Sequence, residues 1–136
     1  MNSFRLTLSA FTALAVLTGC SAPPYAAYAI EDDAELVSHV VVADGSLQDV
    51  VRVGQPLVER MPGNNALRVV VPIRNVDDEP IEILAEMSFQ TVQKTPLMDD
   101  TNRQYKRIAA GHTINFEAIS RKQEAADWVL RLSWNK

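Results

Sequence analysis

Two hydrophobic patterns divide the chain. Residues 6–17 form an apolar run broken only by Thr7, Ser9 and Thr12. From Val37 onward apolar residues recur instead at every second position, the repeat of a strand with one face buried and one face wet. In residues 67–75, Leu67, Val69, Val71 and Ile73 share one face, and Arg68 and Arg74 share the other. Pro72 falls on the outward set and has no N–H, which predicts an edge position or a bulge. Val76-Asp77-Asp78-Glu79-Pro80 predicts a turn. After it Ile81, Ile83, Ala85, Met87 and Phe89 alternate with Glu82, Glu86, Ser88 and Gln90, a long half-buried strand expected to pair with the one before it.

The same repeat continues to the C-terminus. Residues 105–109 predict a short strand, Ala110-Gly111 a turn, and Ile114, Phe116 and Ala118 a further strand. Trp128, Leu130, Leu132 and Trp134 alternate with Val129, Arg131 and Ser133 in the last strand, with both tryptophans on its inward face. Residues 120–126 predict one or two helical turns, capped by Ser120 with Gln123 three positions on. Residues 37–43 and 47–53 add two weaker strands around Asp44-Gly45. Six or seven such strands suit an all-β, immunoglobulin-like antiparallel β-sandwich spanning residues 36–136, with a small barrel as the alternative closure.

The first apolar run belongs to different chemistry. It follows a short basic start ending at Arg5 and leads into Leu17-Thr18-Gly19-Cys20. A charged start, about a dozen apolar residues and small residues before a cut are the parts of a secretory signal. A bilayer core needs about 20 apolar residues, so the run is too short to span one. Leu17, Thr18, Gly19 and Cys20 resemble the bacterial lipobox at every position. The resemblance implies a signal peptide over residues 1–19, cleavage between Gly19 and Cys20, and diacylglycerol on Cys20 Sγ. Acylation of the new amino group, by palmitate or a similar chain, would hold the protein in the membrane effectively permanently. Ser21 implies sorting to the outer membrane, with the domain facing the periplasm. Residues 20–35 are then the lipidated N-terminus and tether. Their Pro23-Pro24 pair favours an extended chain, Tyr25 and Tyr28 read as linker residues, and Glu31, Asp32, Asp33 and Glu35 mark a solvated approach to the domain.

Composition narrows the partners. A chain of 136 residues, 47% apolar and 22% charged, has the make-up of one folded domain. Its 13 basic and 17 acidic residues leave a charge of −4, and loss of Arg5 with the signal makes the balance one unit more negative. Nucleic acid is an unfavourable partner for such a surface, because affinity for phosphate backbones comes from clustered Lys and Arg. With Cys20 the one cysteine, the domain holds itself by packing rather than by an internal disulfide.

Several features together resemble the YcfL-like family of small bacterial lipoproteins that contain a domain of unknown function. These are the strand ending in Arg74-Asn75, the Pro80-led strand through Phe89, the Ile108-Ala109-Ala110-Gly111 turn into Phe116, and the last strand ending in Trp134. The resemblance implies a fold and an envelope address, and no catalytic residue. The residues themselves suggest no cofactor. His39 and His112 are about seventy positions apart and Cys20 is committed to lipid, so the three or four ligands of a zinc site are not in view. Asp77-Asp78-Glu79 and Asp99-Asp100 lack the spacing of a calcium loop and read as solvated turns. There is no Gly-x-Ser-x-Gly elbow and no glycine-rich phosphate loop. The expectation is a non-enzymatic, lipid-anchored envelope module that binds a protein partner or plays a structural part. The alternative is a binder of cell-wall glycan or a small ligand, with Trp128, Trp134, Tyr105 and His112 lining a groove. A hydrolase using paired carboxylates has no pair that the sequence selects.

Overall fold

The computed structural model describes residues 39–98 and 102–135. The signal segment, Leu17, Thr18, Gly19 and Cys20, the tether with Tyr25 and Tyr28, and Asp99-Asp100 lie outside the described residues. In chain order the elements are β1 (Val40–Val42), helix α1 (Gly45–Val50), β2 (Val51–Val53), β3 (Leu57–Arg60), β4 (Leu67–Asn75), β5 (Ile81–Gln90), β6 (Pro96–Leu97), β7 (Arg103–Ile108), β8 (Thr113–Ile119) and β9 (Asp127–Trp134). One sheet places β4 between β8 on one side and β2 and β3 on the other. The second runs β1-β9-β5, with β7 and β6 sharing the far side of β5. The β4–β8 and β5–β9 pairs are those that join strands B to E and C to F in an immunoglobulin-type sandwich.

The period-two pattern becomes the core directly. Leu67, Val69, Val71 and Ile73 of β4 and Phe116 and Ala118 of β8 are buried from one sheet. Ile81, Ile83, Ala85, Met87 and Phe89 of β5, with Trp128, Leu130 and Leu132 of β9, are buried from the other. Each large side chain so enclosed contributes about 1.5–3 kcal/mol. Trp134, at the end of β9, is only partly buried against this core, and its Nε1 donates to Ser46 Oγ at 3.0 Å.

Four expectations change. First, β4 and β5 do not pair. They belong to opposite sheets, and residues 76–80 carry the chain across the sandwich rather than round a hairpin. Two strands that each bury one whole face satisfy the pattern equally well side by side or face to face. The buried Asn75 side chain selects the second, as Nδ2 donates to Glu79 O at 2.7 Å and to Ile108 O at 3.1 Å, while Oδ1 accepts from Asp77 N at 2.8 Å.

Second, Pro72 sits on a central strand, not an edge. Val53 lies opposite Ile73 but Leu57 lies opposite Val70, so the β2–β3 side carries one extra residue, a bulge beside Pro72. Gly54 N donates to Pro72 O at 2.9 Å, and the donor that Pro72 lacks falls where the neighbouring strand is already interrupted. Third, residues 47–53 are not one strand. Leu47 is fully buried from helix α1, and only Val51–Val53 are extended.

Fourth, residues 120–126 contain no helix. The Ser120 side chain accepts from Lys122 N at 3.1 Å, and the Arg60 guanidinium donates to the Ala125 carbonyl, holding buried Ala125 inward. Ala126 N donates to Gln90 O at 2.8 Å, an N–H that a helix would direct to the Lys122 carbonyl. Nine strands are present among the described residues, and β1 runs parallel to β9. The short strands β3 and β6 carry too little alternation to be read from sequence.

Candidate functional site

Antiparallel pairing makes alternate residues turn their backbone groups toward a neighbour. On β4, Asn75 N donates to His112 O at 3.0 Å, and Ser120 N donates to Leu67 O at 2.9 Å. In that register the even-numbered residues of β8 bond to β4. Thr113, Asn115, Glu117 and Ile119 therefore turn their N–H and C=O groups away from it. Among the described residues no strand pairs with that side of β8. One of its acceptors is occupied, since Gln104 Nε2 donates to Glu117 O at 2.9 Å. The strand has seven residues, no proline and no bulge.

The other edge of this sheet is built differently. β3 has four residues, lies beyond the bulge at Gly54, and is flanked by Pro56 and Pro62. Short, bulged and proline-bounded edges resist recruitment of another strand. Leu57 and Val58 are exposed there. The outer face between the two edges carries an ionic row, in which Arg68 reaches Glu59 on β3 and bonds Glu117 on β8 at 2.9 and 3.1 Å. These hydrogen bonds hold the Glu117 carboxyl below the ordinary carboxylate value, and they hold the Arg68 guanidinium above its own.

A second polar cluster stands at the start of the domain. His39 directly precedes β1 rather than lying in a strand, and its Nε2 lies 2.9 Å from Asp127 Oδ1. The same carboxylate accepts from Trp128 N at 2.9 Å and binds Lys94. The His39 ring stacks on Trp128 with centroids 4.8 Å apart. His39 is thereby fixed to β9 just ahead of β1. His112 lies in the β7–β8 turn, exposed, with Nδ1 2.8 Å from Ala110 O. The two histidines are not brought together, and no group of His, Cys, Asp and Glu among the described residues is placed to hold a metal.

The four residues of the expected groove also part. Trp128 is buried in the core, and Trp134 lies opposite inward-facing Ile83. Tyr105 lies opposite Leu84, on the outer face of the same sheet, and is 66% exposed. Tryptophans and tyrosine thus face opposite ways. A cavity of about 330 Å³ does exist where β6 and β7 meet β5, lined by Met87, Leu97, Met98, Asn102, Glu86 and Arg103. Asn102 is buried there with its Nδ2 unpartnered, and Arg103 bonds Glu86 at 2.8 Å. Residues 99–101, which join two of its walls, are outside the described residues.

The features that stand out (the open β8 edge, the Arg68 row and the His39–Asp127 pair) are absent from the sequence reading. Each depends on which strands become neighbours. The one signal available was negative, a strand of residues 113–119 without proline or lysine.

No protein-family model and no curated protein matches the chain. Two solved structures share its fold. Cj0090 from Campylobacter jejuni is 16% identical with a TM-score of 0.58, over 71% of this chain and 97% of its own. A DUF1425 family member from Shewanella sp. pv-4 is 13% identical with a TM-score of 0.55, over 60% of this chain and 75% of its own.

Proposed function

We propose that the protein is a non-enzymatic, lipid-anchored module of the cell envelope that recruits a partner protein along the open edge of β8. The anchor is diacylglyceryl-Cys20, and the address is the outer membrane facing the periplasm. Support for the anchor is the basic start, the short apolar run and the Leu17-Thr18-Gly19-Cys20 lipobox. Support for the binding mode is a single observation, the seven-residue β8 whose outer side pairs with no strand among the described residues. An extended segment of a partner would add a strand there, drawing affinity from main-chain hydrogen bonds and specificity from alternate side chains.

Asn115 provides the test. Its N–H points to the open side, so Asn115→Pro removes a recruiting donor without breaking the ladder to β4. A photo-crosslinking residue at Thr113, in the membrane-anchored full chain, is expected to capture an envelope protein. Asn115→Pro should abolish that capture and leave the Tm nearly unchanged. Capture that survives the proline at wild-type yield would rule out β8 as the docking edge. The anchor is tested separately by intact mass. Wild type should weigh as residues 20–136 plus acyl chains, and Cys20→Ala should not.

A further inference from the structure

We infer that Arg52 and Arg74 form a binding site for a single phosphate-type oxyanion on the outer face of the β4 sheet. The two residues are directly opposite each other on β2 and β4, and Thr113 of β8 lies opposite Arg74 on the other side. Directly opposed side chains in such pairs stand about 4.5–5.5 Å apart at Cβ, and like charges there repel. Two arginines at directly opposed positions therefore favour an anion between them.

The described residues supply none. The Arg74 side chain makes no hydrogen bond or ion pair among the described residues, and its Nε is buried without an acceptor. Among the described residues the Arg52 guanidinium engages one nitrogen only. Its Nη1 donates to the carbonyls of Gln48, Asp49 and Val51 at the end of α1, at 3.1, 3.3 and 2.8 Å. Arg68 gives the contrast, on the same strand and the same face. It is bracketed by Glu59 and Glu117, one from each neighbouring strand. Glu59 stands directly opposite Arg68, and Glu117 reaches it from the β8 position opposite Val70, whereas directly opposite Arg74 stand Arg52 and Thr113, neither of them acidic.

A carboxylate partner on either side would have completed Arg74 as it completes Arg68. Instead the row sets two arginines and a threonine directly across from one another. Phosphate, with more charge than a carboxylate and more oxygens, accepts from both guanidinium groups and the hydroxyl together. The Thr113 side chain is exposed, so the row is open to solvent. A free phosphate and the phosphodiester of a lipid headgroup both present non-ester phosphoryl oxygens, and the site uses the Thr113 side chain rather than the backbone groups of the β8 edge.

The test uses the full chain in neutral detergent, with the arginine Nε–H resonances followed by ¹⁵N NMR. Sodium phosphate is titrated against sodium chloride at matched ionic strength, and short-chain phosphatidylglycerol is titrated in parallel. The Arg74 Nε–H resonance is expected to shift saturably with phosphate and not with chloride, while that of Arg68 stays in place. The rise in Tm caused by phosphate over chloride should vanish in Arg74→Gln and in Arg52→Gln, and persist in Arg68→Gln. Saturation by phosphatidylglycerol at lower concentration than phosphate would support the site and make the headgroup its source. Saturation by inorganic phosphate alone would support it with a free oxyanion as ligand. Equal responses to phosphate and chloride, or a phosphate effect retained in both Arg74→Gln and Arg52→Gln, would overturn the inference.

Discussion

Asn75 shows how much one buried amide can decide. Its side chain is fully enclosed and serves three backbone groups, the carbonyls of Glu79 and Ile108 and the N–H of Asp77. Asn75→Ala strands all three, and leaving buried polar groups unpaired costs about 1–3 kcal/mol apiece where water cannot reach them. We expect a loss of about 2–4 kcal/mol by urea denaturation, since part of the turn is solvent-accessible. Asn75→Asp should lose a comparable amount, because a carboxylate keeps the acceptor and brings a charge against two carbonyl oxygens. The Arg68–Glu117 pair makes the opposite kind of prediction. The Glu117 carboxyl is held low in the folded state, so its contribution is present above the unfolded carboxylate value and is lost as pH falls through the folded one. Arg68 stays charged throughout and adds no pH dependence of its own. Both groups meet solvent, so the increment is small and screened by salt. Tm measured from neutral to acid pH should fall slightly further for wild type than for Glu117→Gln, and the gap should close at high salt. A gap that is unaltered by salt would mean that the pair acts as a buried one.

At the scale of elements, parity was legible and adjacency was not. Every residue of β4, β5 and β9 that the alternation turns inward is buried or partly buried, because a side chain's face follows from its position along the strand alone. Which strand lies beside which depends on long-range choices, and so the expected β4–β5 hairpin is in fact a crossing between sheets. Pro72 illustrates the limit. The missing donor correctly pointed to a bulge, but the bulge lies in the neighbouring strand, at a residue eighteen positions earlier in the chain. Gly54 is what lets it form. A Cβ added there would stand 3.2 Å from Pro72 Cβ and 3.4 Å from Cγ, against a rigid ring that has no rotamer to escape to. Gly54→Val is expected to destabilise the domain by about 1–3 kcal/mol, as overpacking does elsewhere, and Gly54→Ala by less. Equal stability of the valine variant in thermal melts would show that the β2–β3 edge moves freely relative to β4. The same dependence on neighbours explains 120–126, where Arg60 from β3 decides the conformation of a loop more than sixty residues away.

For the whole molecule, the division into two sheets raises the question of whether they unfold together. The candidate site was illegible for a reason that also answers this. An open edge or an unmatched arginine row is a property of the assembled sandwich, and the sandwich exists only because both inner faces share one core. That core includes Phe116 and Val69 from one sheet and Phe89, Leu130 and Trp128 from the other, with no separate cluster for either. A cavity opened in the β4 sheet should therefore be felt in the β5 sheet. Phe116→Ala removes a fully buried ring and is expected to cost about 3–5 kcal/mol, and Phe116→Leu should keep most of the volume and cost about 1 kcal/mol. Trp128 sits on the opposite sheet and is 4% exposed, and Trp134 lies on the same strand, so tryptophan emission reports the far side of the core. Denaturation followed by Trp emission and by far-ultraviolet circular dichroism should give one coincident transition, displaced to lower denaturant by the same amount in both signals for either variant. If the tryptophan transition instead held its midpoint while the dichroism shifted, the sheets would be separate folding units. The β8 edge could then open and close without disturbing the His39–Asp127 pair on the other sheet.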